Sequence, residues 1–307
     1  MSKITLHDLP QLARSLKLNP EPLESFLFAC QLKNCTTATL KCYGERLAYI
    51  MRWASEQQKD LHTLTKLDLQ RYVTGLIGKV SVATINGRIA AFRTFFRVLL
   101  SESFITIDPM ADIRKLKQPK MVKEVLTPDD MSRVLAQFDR KTYDGCRNFT
   151  MVLLAFDAMV RVSELSSIKV DDLDLQSGMV KVFCKGRERY VAFSPMTAKA
   201  LHTYLVRFRK GIQGELLFVT KWGSRISYRR VHHIFADQAK KIGLHLHPHL
   251  ARHSGATQAA RSGMSLAVLQ QALGHSTLAV TQQYLWMNET DVKKEYVKHS
   301  PTTGMRI

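Results

Sequence analysis

The chain has 307 residues, 45% of them apolar, enough for one large or two ordinary domains. Its 45 Lys and Arg outnumber 26 Asp and Glu, for a formal net charge of +19. That excess runs from Lys33 to Lys298 and is not confined to a tail, so it points to a polyanion, most simply nucleic acid. No apolar run is long enough to span a bilayer and the first residues lack a signal-peptide core, so no membrane partner is expected. Five cysteines (Cys30, Cys35, Cys42, Cys146, Cys184) form no Cys-x-x-Cys pair and fit a reduced, cytoplasmic setting. Histidines show no metal-ligand spacing with cysteines or carboxylates, so no metal is expected.

Residues 1 to about 17 read as a short leader helix or arm, and from Pro20 onward the pattern is helical. A helix starting at Thr37 or Thr39 carries Leu40, Tyr43, Leu47, Ile50 and Met51. A shorter one is predicted from Asp68 to Ile77, with Leu69, Tyr72, Val73 and Leu76 inward. Ser81 to Leu100 gives the clearest signal: Ile85, Ile89, Phe92, Phe96 and Leu99 recur at helical spacing. Its other side shows Asn86, Arg88, Arg93 and Arg97, either a solvated face or a phosphate-contacting one. After Asp108-Pro109 comes a basic stretch, with Arg114, Lys115, Lys117, Lys120 and Lys123 around Pro119. It reads as an extended linker and places a domain boundary between about residues 114 and 124.

Leu126-Thr127-Pro128-Asp129-Asp130 restarts the fold with an N-cap, a proline at the first helical position and two acids in the first turn. The run Phe149 to Val160 has no polar face, which predicts a buried helix. Arg161 at its end needs a partner, either Glu164 or a bound anion. Strands are predicted at Met179 to Cys184 and Glu188 to Phe193, flanking the turn Lys185-Gly186-Arg187. Lys185 is thereby presented on a loop tip, ordinarily a merely soluble position. Helices at about 195–209 and 227–241 are joined through a short strand at Leu216 to Val219. Glu289 to His299 reads as a charged helix with Val292, Tyr296 and Val297 on one side.

Between these last elements lies the segment richest in chemistry, His249 to Tyr284. His249 and Arg252 fall on one helix face behind Pro248, Gly274 stops a second helix ahead of His275, and a third short helix delivers Tyr284. These groups suit a phosphodiester. Arg presents a planar fork to phosphate oxygens, His can donate to one or move a proton, and Tyr supplies an oxygen nucleophile. Taken singly, each has an ordinary structural explanation: a His-x-x-Arg pair is usually a solvated face and a tyrosine a half-buried aromatic.

In combination these residues resemble the tyrosine recombinases of the lambda-integrase family. The family's Gly-Leu-Arg-x-Ser-Glu-Leu box appears as Met159 to Leu165, its hairpin lysine matches Lys185, and its His-x-x-Arg-His box matches His249 to His253. The Leu-Gly-His-Ser element matches Leu273 to Ser276, with Tyr284 nine residues after His275. Two family glycines are replaced, by Met159 and Cys184, so helix-end packing and turn geometry are expected to differ there.

The resemblance implies a mainly α fold with a small antiparallel β-sheet (α+β) in the C-terminal domain, arranged as a two-domain DNA clamp. Residues 1–113 would be a helical core-binding domain, 114–124 the basic linker, and 125–307 the catalytic domain with a tail helix near 289–299. It implies site-specific recombination through a 3′-phosphotyrosine, with Arg161, Lys185, His249, Arg252, His275 and Tyr284 as the catalytic set. Asn86, Arg88, Arg93, Arg97, Lys115, Lys117, Lys120 and Arg187 are candidate DNA contacts. The implied partners are double-stranded DNA carrying specific sites, a homo-tetramer on that DNA and accessory proteins, with no cofactor or metal. A type IB topoisomerase-like nicking-closing enzyme, or a catalytically silent DNA-binding regulator, are the competing functions.

Overall fold

Alternating capped helices form the first half of the protein, in a computed structural model that describes residues 4–118, 124–184, 186–275 and 277–281. A 3-10 turn at Leu6–Asp8 leads into α1 (Leu9–Ser15), α2 (Glu21–Leu32), α3 (Thr37–Glu56), α4 (Lys66–Thr74) and α5 (Val82–Ser101). Side-chain hydroxyls set the starts: Thr36, Thr65 and Ser81 accept the first free amides of α3, α4 and α5. Capping by Thr65 starts α4 two residues ahead of the predicted Asp68, and the helix ends at Thr74. The leader is no free arm. Leu6 and Leu9 are fully buried, and Gly44 on α3 lets the backbone of Thr5 approach where any side chain would collide. Phe26, Phe92, Phe95 and Phe96 fill the centre of this unit, Phe26 and Phe95 meeting edge to face at 5.3 Å.

The polar side predicted for α5 is largely spent inside the unit. Arg88 is only 7% exposed, donates to the Tyr72 hydroxyl at 3.1 Å and stacks 4.0 Å over the Tyr49 ring. Asn86 donates to the Leu116 carbonyl (2.9 Å) and accepts from its amide (2.7 Å), while Arg93 donates to the Ile113 carbonyl. These three make contacts within the unit; Arg97 alone of the four is exposed. The reason is that α5 is packed on more than one side, so an arginine opposite the main stripe still meets protein. The basic stretch is likewise not a free linker throughout. Leu116 packs on the first core, and Lys115 and Lys117 beside it are exposed.

The chain divides into units of residues 1–121 and 122–307. The second opens with α6 (Pro128–Leu135), capped by Thr127, and α7 (Tyr143–Asp157), buried from Cys146 to Ala155. A single-turn helix, α8 (Val162–Leu165), precedes a three-stranded antiparallel sheet of β1 (Leu173–Asp174), β2 (Met179–Cys184) and β3 (Arg187–Ala192), in that order. Register pairs Val180 with Val191 and Val182 with Arg189. The strand predicted at Leu216 to Val219 does not form. That segment makes only single bridges, Lys169 with Leu216 and Val219 with Arg225. Its buried carbonyls are satisfied by side chains instead: Tyr204 donates to Leu217, and Tyr143 and Arg147 to Val219.

Next come α9 (Pro195–Tyr204), a π-helical turn at Leu205–Arg209, and α10 (Tyr228–Lys240). The chain continues into α11 (Pro248–Arg261), α12 (Leu266–Leu273) and α13 (Leu278–Thr281). Among the described residues no helix is long and apolar enough to cross a membrane.

Helix α11 lies directly on α7, and Gly255 makes that approach possible. A Cβ there would collide with the Phe156 carbonyl and lie 3.2 Å from Met159 Cγ. Gly255→Ala is therefore expected to destabilise the second unit by about 1–3 kcal/mol, as overpacking does. Denaturant midpoints of parent and variant measure it; equal midpoints would show that α7 and α11 can separate without penalty.

Candidate active site

Three backbone devices place the site's groups. The first is at the end of α7, where Met159 adopts a left-handed conformation (φ 51°) that suits glycine far better. The turn expected of a glycine is thus kept by a methionine, whose side chain is buried against Ala256, Leu269 and Leu273. This turn delivers Arg161 to the N-cap of α8, where the Glu164 carboxylate accepts the Arg161 amide at 2.7 Å. The second device is the start of α11. His247 caps it, its Nδ1 accepting the Leu250 amide at 3.1 Å, with Pro248 at the first helical position. Arg252 then lies one turn inside, 4% exposed, and His249 lies at the exposed first turn. The third is the end of α12. Gly274 takes the left-handed conformation (φ 59°, ψ 47°) that closes a helix, and His275 follows it.

These devices converge on one carboxylate. Glu164 is fully buried and pairs with Arg161 Nη1 at 2.9 Å and Arg189 Nη2 at 2.8 Å, with Arg252 Nη1 3.8 Å away. The same three arginines take the last carbonyls of α12: Arg189 donates to Ala272, Arg252 to Leu273 (2.7 Å) and Arg161 to Gly274 (3.1 Å). Cations at a helix C-terminus meet the negative end of its dipole as well as its unpaired carbonyls. Arg252 also donates to the Met159 carbonyl at 2.6 Å, tying α11 to the turn that carries Arg161.

His275 sits within this positive surround. Burial first, then Arg252, Arg161 and Arg189, hold its imidazole down to about 4, so the ring is neutral near pH 7. Its Nδ1 lies 3.0 Å from Thr281 Oγ1, and its carbonyl accepts from Gln270 Nε2 at 3.1 Å. His247 is lowered too, by burial and then by His245, His249 and His232, with Glu124 opposing. Glu124, His245, His247, His249 and His253 line one cleft.

Arg161, Arg252 and His275 are therefore brought together. Lys120, Lys185, Tyr284, the side chain of Arg187 and the tail helix near 289–299 lie outside the described residues. Sequence reasoning missed Arg189, although a signal was present: it alternates with the outward Glu188 and Tyr190 and shares its strand face with buried Val191. Among the described residues no three His, Cys, Asp or Glu groups are arranged to hold a metal ion.

Two family descriptions match the chain: the phage integrase family over residues 124–290, and the phage integrase N-terminal SAM-like domain over 23–105. Tyrosine recombinase XerC of Bacillus pumilus (strain SAFR-032) is 31% identical over 286 residues, covering 89% of this chain and 94% of the relative. The chain belongs to the phage integrase family and is a tyrosine-type site-specific recombinase. XerC of Bacillus subtilis (strain 168) is 31% identical over 72% of this recombinase and 76% of its own length. Among solved structures, XerA recombinase covers 92% of the chain and 98% of its own, at 26% identity and TM-score 0.51. XerH site-specific recombinase bound to palindromic difH substrate covers 86% and 80%, at 20% identity and TM-score 0.73. A lambda integrase dimer bound to a COC′ core site covers 86% and 94%, at 19% identity and TM-score 0.71. These last two share the fold: helical, with a small antiparallel sheet.

Both histidines titrate below the ordinary imidazole value of 6.5 in the folded protein. A lowered folded value means that the unfolded chain binds protons first, so stability is complete above about pH 6.5 and declines as pH falls toward about 4. Melting temperature is expected to fall across that window, and His247→Asn, a cap that does not titrate, to flatten part of the slope. A parent melting curve independent of pH between 4 and 6.5 would contradict this.

Proposed function

We propose that the recombinase cleaves and rejoins double-stranded DNA at specific sites through a 3′-phosphotyrosine on Tyr284. The observation that supports it most is the convergence of Arg161 and Arg252 on Glu164, at the helix end that presents neutral His275. In this reading the two guanidinium groups hold the non-bridging oxygens and stabilise charge developing on phosphorus. Tyr284 attacks, the phosphodiester bond to the 5′-oxygen breaks, and Lys185 supplies the proton to that leaving oxygen. His249, exposed at the first turn of α11, assists proton transfer at the nucleophile. Neutral His275 hydrogen-bonds a phosphate oxygen without adding a titratable charge. The covalent ester conserves the energy of the broken bond, so the free 5′-hydroxyl of a second strand can reverse the step with no nucleotide cofactor.

The DNA partner is inferred from the net charge of +19 and from the DNA-bound state of the XerH and lambda integrase structures. Residues 1–113 would serve as the core-binding domain, 114–124 as the linker and 125–307 as the catalytic domain, closing on the duplex as a clamp. Exposed Arg97, Lys115 and Lys117 remain available for phosphate contact. Complete exchange would take a homo-tetramer on two sites and pass through a Holliday junction, the tail helix near 289–299 linking protomers.

Tyr284→Phe removes only the hydroxyl, so it is expected to bind its site and form no covalent complex. A nicked suicide duplex run on a denaturing gel decides this; an adduct in the variant would sink the nucleophile assignment.

Arg161→Lys and Arg252→Lys keep the charge and lose the fork. Each is expected to slow single-turnover cleavage by on the order of 10²–10³ while sparing binding, the usual consequence of losing one preorganised donor. Near-parent rates in either would contradict the clamp.

A further inference from the structure

One side chain outside the assigned set is built into the site on every side. Arg189 stands on β3 opposite Val182, on the strand face where Val180, Val182 and Val191 are buried. A guanidinium turned inward must be fully paired, and this one is. Its Nη2 lies 2.8 Å from Glu164 Oε2 and its Nε 3.4 Å from Oε1, a fork-to-carboxylate arrangement. Its Nη1 donates to the Ala272 carbonyl at the end of α12. The stem runs across Gly274, where a Cβ would come within 2.8 Å of both Arg189 Cδ and Nε. Gly274 is thus needed for close approach as well as for its left-handed backbone.

The arrangement matters because Glu164 has one charge to share among three guanidinium groups. Arg189 takes both carboxylate oxygens, Arg161 takes one side-chain contact, and Arg252 stays 3.8 Å off, hydrogen-bonded instead to the Met159 and Leu273 carbonyls. We propose that Arg189 is a positioning residue for strand cleavage: by occupying Glu164 and the end of α12, it keeps Arg161 and Arg252 aimed for the DNA phosphate. Without it, the buried carboxylate draws Arg252 inward, and the cluster falls from a net +2 to +1.

This rests on the reading that Arg161 and Arg252 hold the scissile phosphate, so Arg161→Lys serves as the control. The full-length parent, Arg189→Gln, Arg189→Lys and Arg161→Lys are compared on nicked suicide duplexes, one with an ordinary phosphodiester and one with a 5′-bridging phosphorothiolate. Single-turnover cleavage, site binding and melting temperature are read for each. Arg189→Gln is expected to bind like the parent and cleave on the order of 10²-fold more slowly, the scale of a misplaced catalytic group. Arg189→Lys should recover part of the rate, since charge returns without the fork. The defect should be equal on both substrates, because phosphate charge needs neutralising whatever the leaving atom. His275 should also titrate at a higher pH in Arg189→Gln, read from its imidazole proton resonance, because one of the cations that lower it is gone; a merely structural role would leave the cleavage rate per folded molecule at the parent value.

Parent-rate cleavage by Arg189→Gln while Arg161→Lys is slow would overturn the proposal alone. Parent-rate cleavage by Arg161→Lys would bring down the phosphate-clamp reading and the proposal with it. Rescue of Arg189→Gln by the sulfur leaving group would move Arg189 to the side of the departing oxygen and overturn the assignment. So would slowing of both Arg189 variants in proportion to their loss of folded protein.

Discussion

Everything in the candidate site hangs on one buried carboxylate. Glu164 has no exposure to solvent, and a charge so placed is tolerable only when fully paired. Its partners come from separate stretches of the chain: Arg161 beside it, Arg189 on the hairpin and Arg252 on α11. Removing one partner from such a pair typically costs about 3–5 kcal/mol, so the carboxylate enforces the meeting of these three elements.

The second constraint is the end of α12. Its last carbonyls carry the negative end of the helix dipole, and three arginines meet them in successive positions. Burial first, and then the positive charge of the three arginines, keeps His275 neutral.

The first unit shows a different use of basic residues. Arg88, Asn86 and Arg93 are consumed in holding α5 to α4, α3 and the 113–116 segment, by hydrogen bonds and a stacked ring. The basic residues of this unit thus differ in how far they are built into the core. Burial sorts them, leaving Arg97, Lys115 and Lys117 at the surface.

Local chemistry made much of this legible in the sequence. The Thr127-Pro128-Asp129-Asp130 start, the buried run before Arg161, the glycine stop at Gly274 and the long apolar stripe of α5 all depend on residues near in sequence, and each formed as read. Glu164 is legible as one of two partners for Arg161 because a charge at the end of a buried helix needs one, and the two pair at 2.9 Å. What depends on distant residues was decided by tertiary structure. Leu216 to Val219 has strand composition, yet its backbone pairs only at single bridges to Lys169 and Arg225, and it gives carbonyls to Tyr143, Arg147 and Tyr204. Met159 keeps a glycine-like turn because its side chain is buried against α11 and α12, a compensation invisible along the chain. Arg189 is the clearest case. Alternation in β3 turns it inward, but only the packed fold brings Glu164 and the end of α12 within its reach.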